Sequence, residues 1–290
     1  MPLAPGSVPA RAFVLLQHLL PQHALSGLVR RLTRVRVRWV KNLLIGAFVR
    51  HFGPDMREAV QSDPRQYGSF NEFFTRALAP GTRGIADGNA IASPVDGTVS
   101  QAGPLDGNQL LQAKGRHYTL QALLADADWT ARLQGGSFAT LYLAPSNYHR
   151  IHMPLAGTLS AAWYVPGRLF SVNAATVAAV EGLFARNERV VCAFEGPAGP
   201  FALVLVGALF VGSMTTVWHG EIAPGPARRP LPLTPSSGVP TVLSRGEELG
   251  RFNMGSTVIL LFPPGAASWL PQVRPGAPIV MGQPLATPAA

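Results

Sequence analysis

Hydrophobic positions along the chain change their period near residue 90. Upstream they recur at helical spacing. Leu28, Leu32, Val35, Trp39 and Leu43 fall along one face of a helix, with Arg30, Arg34, Arg38 and Lys41 along another. The stretch RVRVRWV (34–40) also alternates with period two, so a strand with one wet face is the competing reading. Apolar runs at 12–20 (AFVLLQHLL) and 43–49 (LLIGAFV) extend this surface, and both are shorter than the roughly 18 apolar residues of a spanning helix. Gln17, His18 and Pro21 make the first run a poor signal peptide. Residues 1–10, rich in Pro, Gly and Ala, predict disorder. Residues 51–80 predict short helical pieces broken at Pro54 and Pro64. Ser69 or Asn71 would cap one that turns Phe70, Phe73, Phe74 and Leu78 inward.

Downstream of residue 90, short apolar runs are punctuated by turn residues. Candidate strands are TVSQAG, FATLYLAP, GTLSAAWYVPG, RVVCAFEG, FALVLVGALFVGSM, TVWHGEI and TVILLF. Residues 174–187 (AATVAAVEGLFARN) carry the one good helix pattern among them, and 224–241 predicts a surface loop. The chain therefore predicts an α+β protein, with a β-rich sandwich or barrel-like core and amphipathic N-terminal helices. Residues 1–60 form the basic helical segment and 61–290 the main domain.

Composition supports a sizeable core: of 290 residues, 47% are hydrophobic and 13% charged. Cys192 is the single cysteine, which excludes an internal disulfide and fits a reducing compartment. Charge changes the picture more. Arg11, Arg30, Arg31, Arg34, Arg36, Arg38, Lys41 and Arg50 are eight of the 24 basic residues, and no acid lies among the first fifty residues. The rest of the chain is close to neutral. A basic face beside an apolar face bearing a Trp is the pattern of a helix in a membrane interface. Ordinary packing against a domain is the plainer alternative. Nucleic acid is disfavoured, since 8% aromatic content and a neutral remainder offer no continuing groove.

Three stretches could carry chemistry. In SPVDGTVS (93–100), Asp96 precedes a glycine in what reads first as a turn. In NYHRIHMP (147–154), His149 and His152 lie between two prolines. No Cys or acid lies close by in sequence to complete a metal site, and in an extended segment the two rings point apart. In FNMGSTVILLF (252–262), Gly255-Ser256-Thr257 opens a run of apolar residues. A serine needs a base to become a nucleophile, and a histidine oriented by an aspartate is the usual device. A triad can be drawn from Asp96, a histidine and Ser256, but the Gly-x-Ser-x-Gly elbow of hydrolases is absent because position 258 is Val.

Seven ordered blocks give these pieces a common context. FNEFFTRAL (70–78), SPVDGTV (93–99), YHRIHMPLAG (148–157), PGRLFSVN (166–173), LFARNERVV (183–191), VGALFVGSM (206–214) and GEELGRFNMGSTVILLF (246–262) together resemble the bacterial, membrane-associated phosphatidylserine decarboxylases. The chain departs from the family's pattern at Met254, where Leu is common, and at Gly84, where Pro is common. The resemblance implies a proenzyme that cuts itself between Gly255 and Ser256, with Asp96 and His152 serving Ser256. The products would be chains 1–255 and 256–290, held as a heterodimer that can dimerise further. Ser256 would become a covalent pyruvoyl group, the cofactor, which forms a Schiff base with phosphatidylserine and releases phosphatidylethanolamine. His149 would handle protons in that second reaction, and no metal is implied. The implied partners are the lipid substrate and an anionic membrane surface, not nucleic acid, at the cytoplasmic side of the cell membrane. The rival reading is a membrane-surface serine hydrolase using Asp96, His152 and Ser256.

Overall fold

A computed structural model describes residues 7–113, 115–211, 213–223, 227–233, 235 and 239–288. The apolar run after Ser256 forms the strand Thr257–Phe262, and every one of its residues is buried. Its β-branched start (Thr257, Val258, Ile259) suits a pleated backbone, and its unbroken apolar character suits a strand covered on both faces. It lies inside a nine-stranded antiparallel sheet, between the strands Gly199–Val206 and Ser137–Tyr142. The sheet continues outward through Arg189–Gly196 and Gly157–Val165 on one side and Gly97–Pro104 on the other. Thr257 stands opposite both Tyr142 and Val206. One further backbone bond, from Leu143 N to Ser256 O at 2.8 Å, fixes Ser256 at the mouth of the ladder.

A four-stranded sheet lies beside that mouth. It pairs Arg150–His152 with Glu248–Phe252, and Glu248–Phe252 with Met214–Thr216. Phe252 N donates to His149 O at 3.0 Å. The histidine segment and the segment leading into Gly255 are thus neighbours by backbone pairing, although about a hundred residues apart in sequence. The α+β expectation holds.

Three helices precede this core: α1 (Val8–Leu19), α2 (Gln22–Thr33) and α3 (Arg38–Phe52). The single helix expected through 28–43 is interrupted. Helix α2 ends at Thr33, Val37 is extended, and α3 starts at Arg38, so Leu28 and Leu32 sit on one helix and Trp39 and Leu43 on the next. The strand alternative for 34–40 is also absent. All four apolar side chains are exposed nonetheless, from 43% for Leu32 to 73% for Trp39. The charges sort differently from the sequence expectation. Arg30 and Arg34 are held by Glu221, and Lys41 is buried with its ammonium donating to Arg65 O. On α1–α3 the exposed arginines in no ion pair with a described residue are Arg11, Arg31, Arg38 and Arg50. Helix α1 begins at Val8, so the disorder expected over 1–10 does not extend to its last three residues, and residues 1–6 lie outside the described ones.

Helix α4 (Phe70–Phe74) is short and well capped. Ser69 Oγ accepts from Glu72 N at 3.2 Å, and the Glu72 carboxylate reaches back to Gly68 N at 2.9 Å. Its Phe70, Phe73 and Phe74 pack with Ile45 and Phe48 of α3 in a cluster separate from the main core. Leu78, expected inside, is only half-buried. Two other expectations are revised. The helix read over 174–187 is two pieces, Ala174–Ala179 and Leu183–Arg186, because Gly182 adopts φ +61° between them. The run 201–214 leaves the sheet after Val206, and Phe210 takes φ +70°. No helix among the described residues is long and apolar enough to cross a membrane.

Candidate active site

Gly255 and Ser256 lie at one end of a cavity of about 340 Å³. Its walls come from α3 (Phe48, Phe52), α4 (Phe74), the segments 171–173 and 208–210, and Met254. None of these lining residues is charged. Ser256 is 1% exposed, and its Oγ has no hydrogen-bond partner among the described residues. A buried hydroxyl left in that state costs roughly 1–3 kcal/mol, and among the unpartnered hydroxyls of the described residues Ser256 is the one that lines this cavity.

His149 is the ring that touches this dipeptide. A Cβ placed on Gly255 would come within 3.0 Å of His149 Cε1, so residue 255 has space only for hydrogen on that side. The ring is fully buried and stacks on Phe74, with centroids 4.1 Å apart and planes 20° apart. His149 Nε2 lies 3.3 Å from Pro145 O, which can only accept, so Nε2 carries the proton. Nδ1 has no partner among the described residues and offers its lone pair. Burial pushes the His149 imidazole down to about 3, so it is neutral at physiological pH.

His152 is arranged differently. Nδ1 lies 2.8 Å from Gly246 O and must donate to it, which leaves Nε2 as the acceptor, 3.0 Å from the Tyr148 hydroxyl. Burial lowers the proton affinity of His152, and the Gly246 carbonyl and the charges of Glu248 and Asp96 oppose that in part. Asp96 therefore acts on His152 through space. Its own carboxylate is occupied by Arg83 Nη2 at 2.8 Å and Met281 N at 2.8 Å, and Arg83 also binds Glu58 in a fork. The orienting role expected of Asp96 at the His152 ring is filled by the Gly246 carbonyl.

The two histidines thus have separate environments, as their spacing in an extended segment implies. His149 packs against Gly255, and His152 is held between Tyr148 and the Gly246 carbonyl. Three contributors were not singled out from the sequence, Tyr148 on His152, Arg83 on Asp96 and the Gly246 carbonyl, and Phe74 was read as an inward residue of its helix without its place under His149. Tyr148 and Phe74 lie inside blocks that carry the family resemblance, so aromatic residues beside the histidines were the available signal. A backbone carbonyl leaves no signal of its own.

Comparison with known proteins finds relatives along nearly the whole chain. A family model described as phosphatidylserine decarboxylase matches residues 70–287, and one described as PSD matches residues 12–53. The chain is 50% identical over 279 residues to the phosphatidylserine decarboxylase proenzyme of Methylococcus capsulatus, covering 96% of each chain. It is 53% identical over 273 residues to that of Nitrosococcus oceani, covering 93% of this chain and 89% of that protein. Against that of Acidovorax ebreus the identity is 49% over 286 residues, covering 95% and 97%.

Proposed function

The chain belongs to the phosphatidylserine decarboxylase family, and on that premise we propose that it decarboxylates phosphatidylserine to phosphatidylethanolamine in phospholipid biosynthesis. The observation that carries the proposal is the Gly255-Ser256 pair on an uncharged cavity, with the Ser256 hydroxyl buried and unpartnered among the described residues and His149 packed against Gly255.

The first reaction is self-cleavage. The Ser256 Oγ–H bond breaks as its proton passes to His152 Nε2, and Oγ bonds to the Gly255 carbonyl carbon. The 255–256 C–N bond then breaks, the nitrogen takes the proton, and the amide has become an ester. Loss of the Ser256 Cα proton, with rupture of the Cβ–O bond, releases the Gly255 carboxylate. Water then removes the nitrogen as ammonia, leaving chains 1–255 and 256–290. His152 is suited to the first step because its Nε2 lone pair is fixed by the Nδ1–H bond to Gly246 O. The Tyr148 hydroxyl must release that lone pair for it to act. Asp96 contributes negative charge nearby, which favours the imidazolium.

Residue 256 fits a pyruvoyl group. The position is buried, its side-chain oxygen has no competing partner, and Gly255 leaves only hydrogen against His149. Once formed, the group supplies an electron sink for the charge left by the departing carboxylate. His149 holds a neutral imidazole against the neighbouring Gly255 and would be the residue that delivers or takes a proton at position 256. The apolar walls exclude water and keep the carboxylate poorly solvated.

The substrate is a lipid, and residues 1–60 act as the membrane-associating segment on a catalytic domain of residues 61–290. The exposed apolar side chains of α1–α3, with Arg11, Arg31, Arg38 and Arg50, suit peripheral binding to an anionic bilayer at the cytoplasmic side of the cell membrane.

Intact-mass measurement of the purified protein tests the reading. The expected result is two chains, the smaller beginning at residue 256 and blocked to Edman chemistry. Ser256→Ala should stay a single chain with no decarboxylase activity. An active preparation holding only full-length protein would overturn the mechanism. A fluorophosphonate that labels Ser256 would favour the hydrolase reading instead.

A further inference from the structure

Helix α1 exposes Leu15, Leu16 and Leu19 at 51–77%, and α2 exposes Leu28 and Leu32 at 63% and 43% beside Arg31. Among the buried polar residues of their inward side are Gln17, Gln22 and Ser26, exposed by 0–3%. Each of the three is spent on a backbone amide of the irregular segments that wall the cavity. Gln17 Oε1 accepts from Ser171 N at 2.7 Å, Gln22 Oε1 accepts from Leu169 N at 2.8 Å, and Ser26 Oγ accepts from Phe210 N at 3.2 Å. Gln22 Nε2 also donates to Gln17 O at 2.7 Å, which ties α2 to α1.

These segments have no strand neighbour to take the three amides. Their core-side support comes from Asn187, whose amide oxygen accepts from Phe170 N and whose Nδ2 donates to Phe170 O and Gly207 O. Ser171 and Phe210 line the cavity that ends at Ser256. The wall is therefore held between Asn187 on the core side and side chains of the helix pair, among them His23, whose Nε2 lies 3.0 Å from Gly167 O.

From this arrangement we infer that Gln17, Gln22 and Ser26 are positioning residues of the substrate cavity, through which seating of α1–α2 on an anionic bilayer orders the wall formed by 169–171 and 210. A bilayer can shift the wall only if it binds the ordered arrangement more tightly than the loosened one. The hairpin provides that difference, because the same two helices hold the lipid-facing side chains and the three acceptors. The cavity is then complete on the membrane, where the substrate is, and looser off it. The inference rests on the membrane-bound decarboxylase reading above.

Two measurements on the full chain test it. In wild-type protein, amide hydrogen exchange at Leu169, Ser171 and Phe210 should slow by roughly tenfold on adding vesicles of phosphatidylserine and phosphatidylcholine. Unchanged exchange at these amides, with the protein shown by sedimentation to be vesicle-bound, would overturn the coupling. The second measurement compares turnover of vesicle phosphatidylserine with turnover of a monomeric short-chain phosphatidylserine. Gln17→Met and Gln22→Met should self-cleave and sediment normally, yet lose the preference for vesicles by roughly fivefold or more, through kcat. If Gln17→Met does not fold, Ser26→Ala serves for the same ratio, with a smaller loss in the same direction. A ratio equal to wild type in the folded variants would overturn the inference. Absence of cleavage and of turnover in wild-type protein would count against the decarboxylase reading, and the exchange result would still decide the coupling.

Discussion

The strand Thr257–Phe262 and the helices α1–α3 are both rich in large apolar residues, and the fold treats them in opposite ways. Val258, Ile259, Leu260, Leu261 and Phe262 are 0–1% exposed, whereas Leu28, Trp39 and Leu43 are 63–73% exposed. The strand has a protein neighbour on each edge and on both faces. The helices have one on their inward side only. Hydrophobicity along the chain therefore identifies surface to be removed from water without saying which phase receives it. The cavity at Ser256 lies where the two regimes meet, with walls from α3 and from the sheet margin.

The strongest way to sharpen this contrast is at the histidines on the core side. His152→Ala should slow self-cleavage by about 10²-fold or more, read by the fraction of uncut chain over time. His149→Ala should cleave and then decarboxylate at a similarly reduced rate. If both variants process and turn over normally, the assigned roles are wrong. Burial lowers the proton affinity of His152 from the ordinary 6.5, so its lone pair persists on the acid side of that value. The acid limb of the cleavage profile should fall below pH 6.5. An acid limb above it would contradict the buried, neutral ring.

Deleting core surface comes next. Leu260→Ala, at the centre of the buried strand, should destabilise the uncut Ser256→Ala protein by about 2–5 kcal/mol in denaturant titration. The same truncation at Leu28 should change stability by no more than about 0.5 kcal/mol. Equal losses at the two positions would erase the distinction.

The core also holds an acid. Glu188 is fully buried, accepts from the Tyr164 hydroxyl at 3.0 Å, and has its other oxygen unpartnered. Burial pushes its carboxyl up to about 7, above the unfolded value of 4.5. Its contribution is therefore full below pH 4.5 and is lost as pH rises through 7. Glu188→Gln should be more stable than wild type at pH 8, by about 1–3 kcal/mol, with the difference closing below pH 5. A pH-independent difference would show that ionisation is not the cause.

The smallest effect belongs to the outer helices. Trp39→Ala should leave unfolding nearly unchanged and weaken sedimentation with anionic vesicles roughly tenfold. Unaltered vesicle binding would remove Trp39 from the lipid-facing surface.

Much of this was legible in the sequence, for identifiable reasons. The buried strand announces itself because an apolar run with a β-branched start has few other solutions. Ser69 and Glu72 mark the start of α4 by the spacing of a capping box. The break at residues 34–37 was hidden, because Val35 and Val37 keep the helical and the alternating pattern alive together. Gly182 divides a good helix pattern through its φ, which propensity registers only weakly. At the site, Ser256 and both histidines were visible as residue types. The partner at His152 Nδ1 was not, because any residue can supply a carbonyl. Gln17 stood out in its apolar run only as a blemish. Its burial against Ser171 shows it to be an acceptor placed for a distant amide.

The central position of Thr257–Phe262 has one more consequence. Before cleavage, every sheet pairing closes within a single covalent chain, and an unfolded molecule can search for its register alone. If the chain is cut at Gly255-Ser256 as proposed, the piece 256–290 would contribute that inner strand and also the segments that pair with Gly97–Thr98 and Ile91–Ala92. Refolding would then become a meeting of two molecules, one carrying a strand the other cannot do without, and would depend on concentration. The mature protein would be preserved by the height of its unfolding barrier rather than by an equilibrium it can re-enter, and a molecule that opens once after processing is in practice spent.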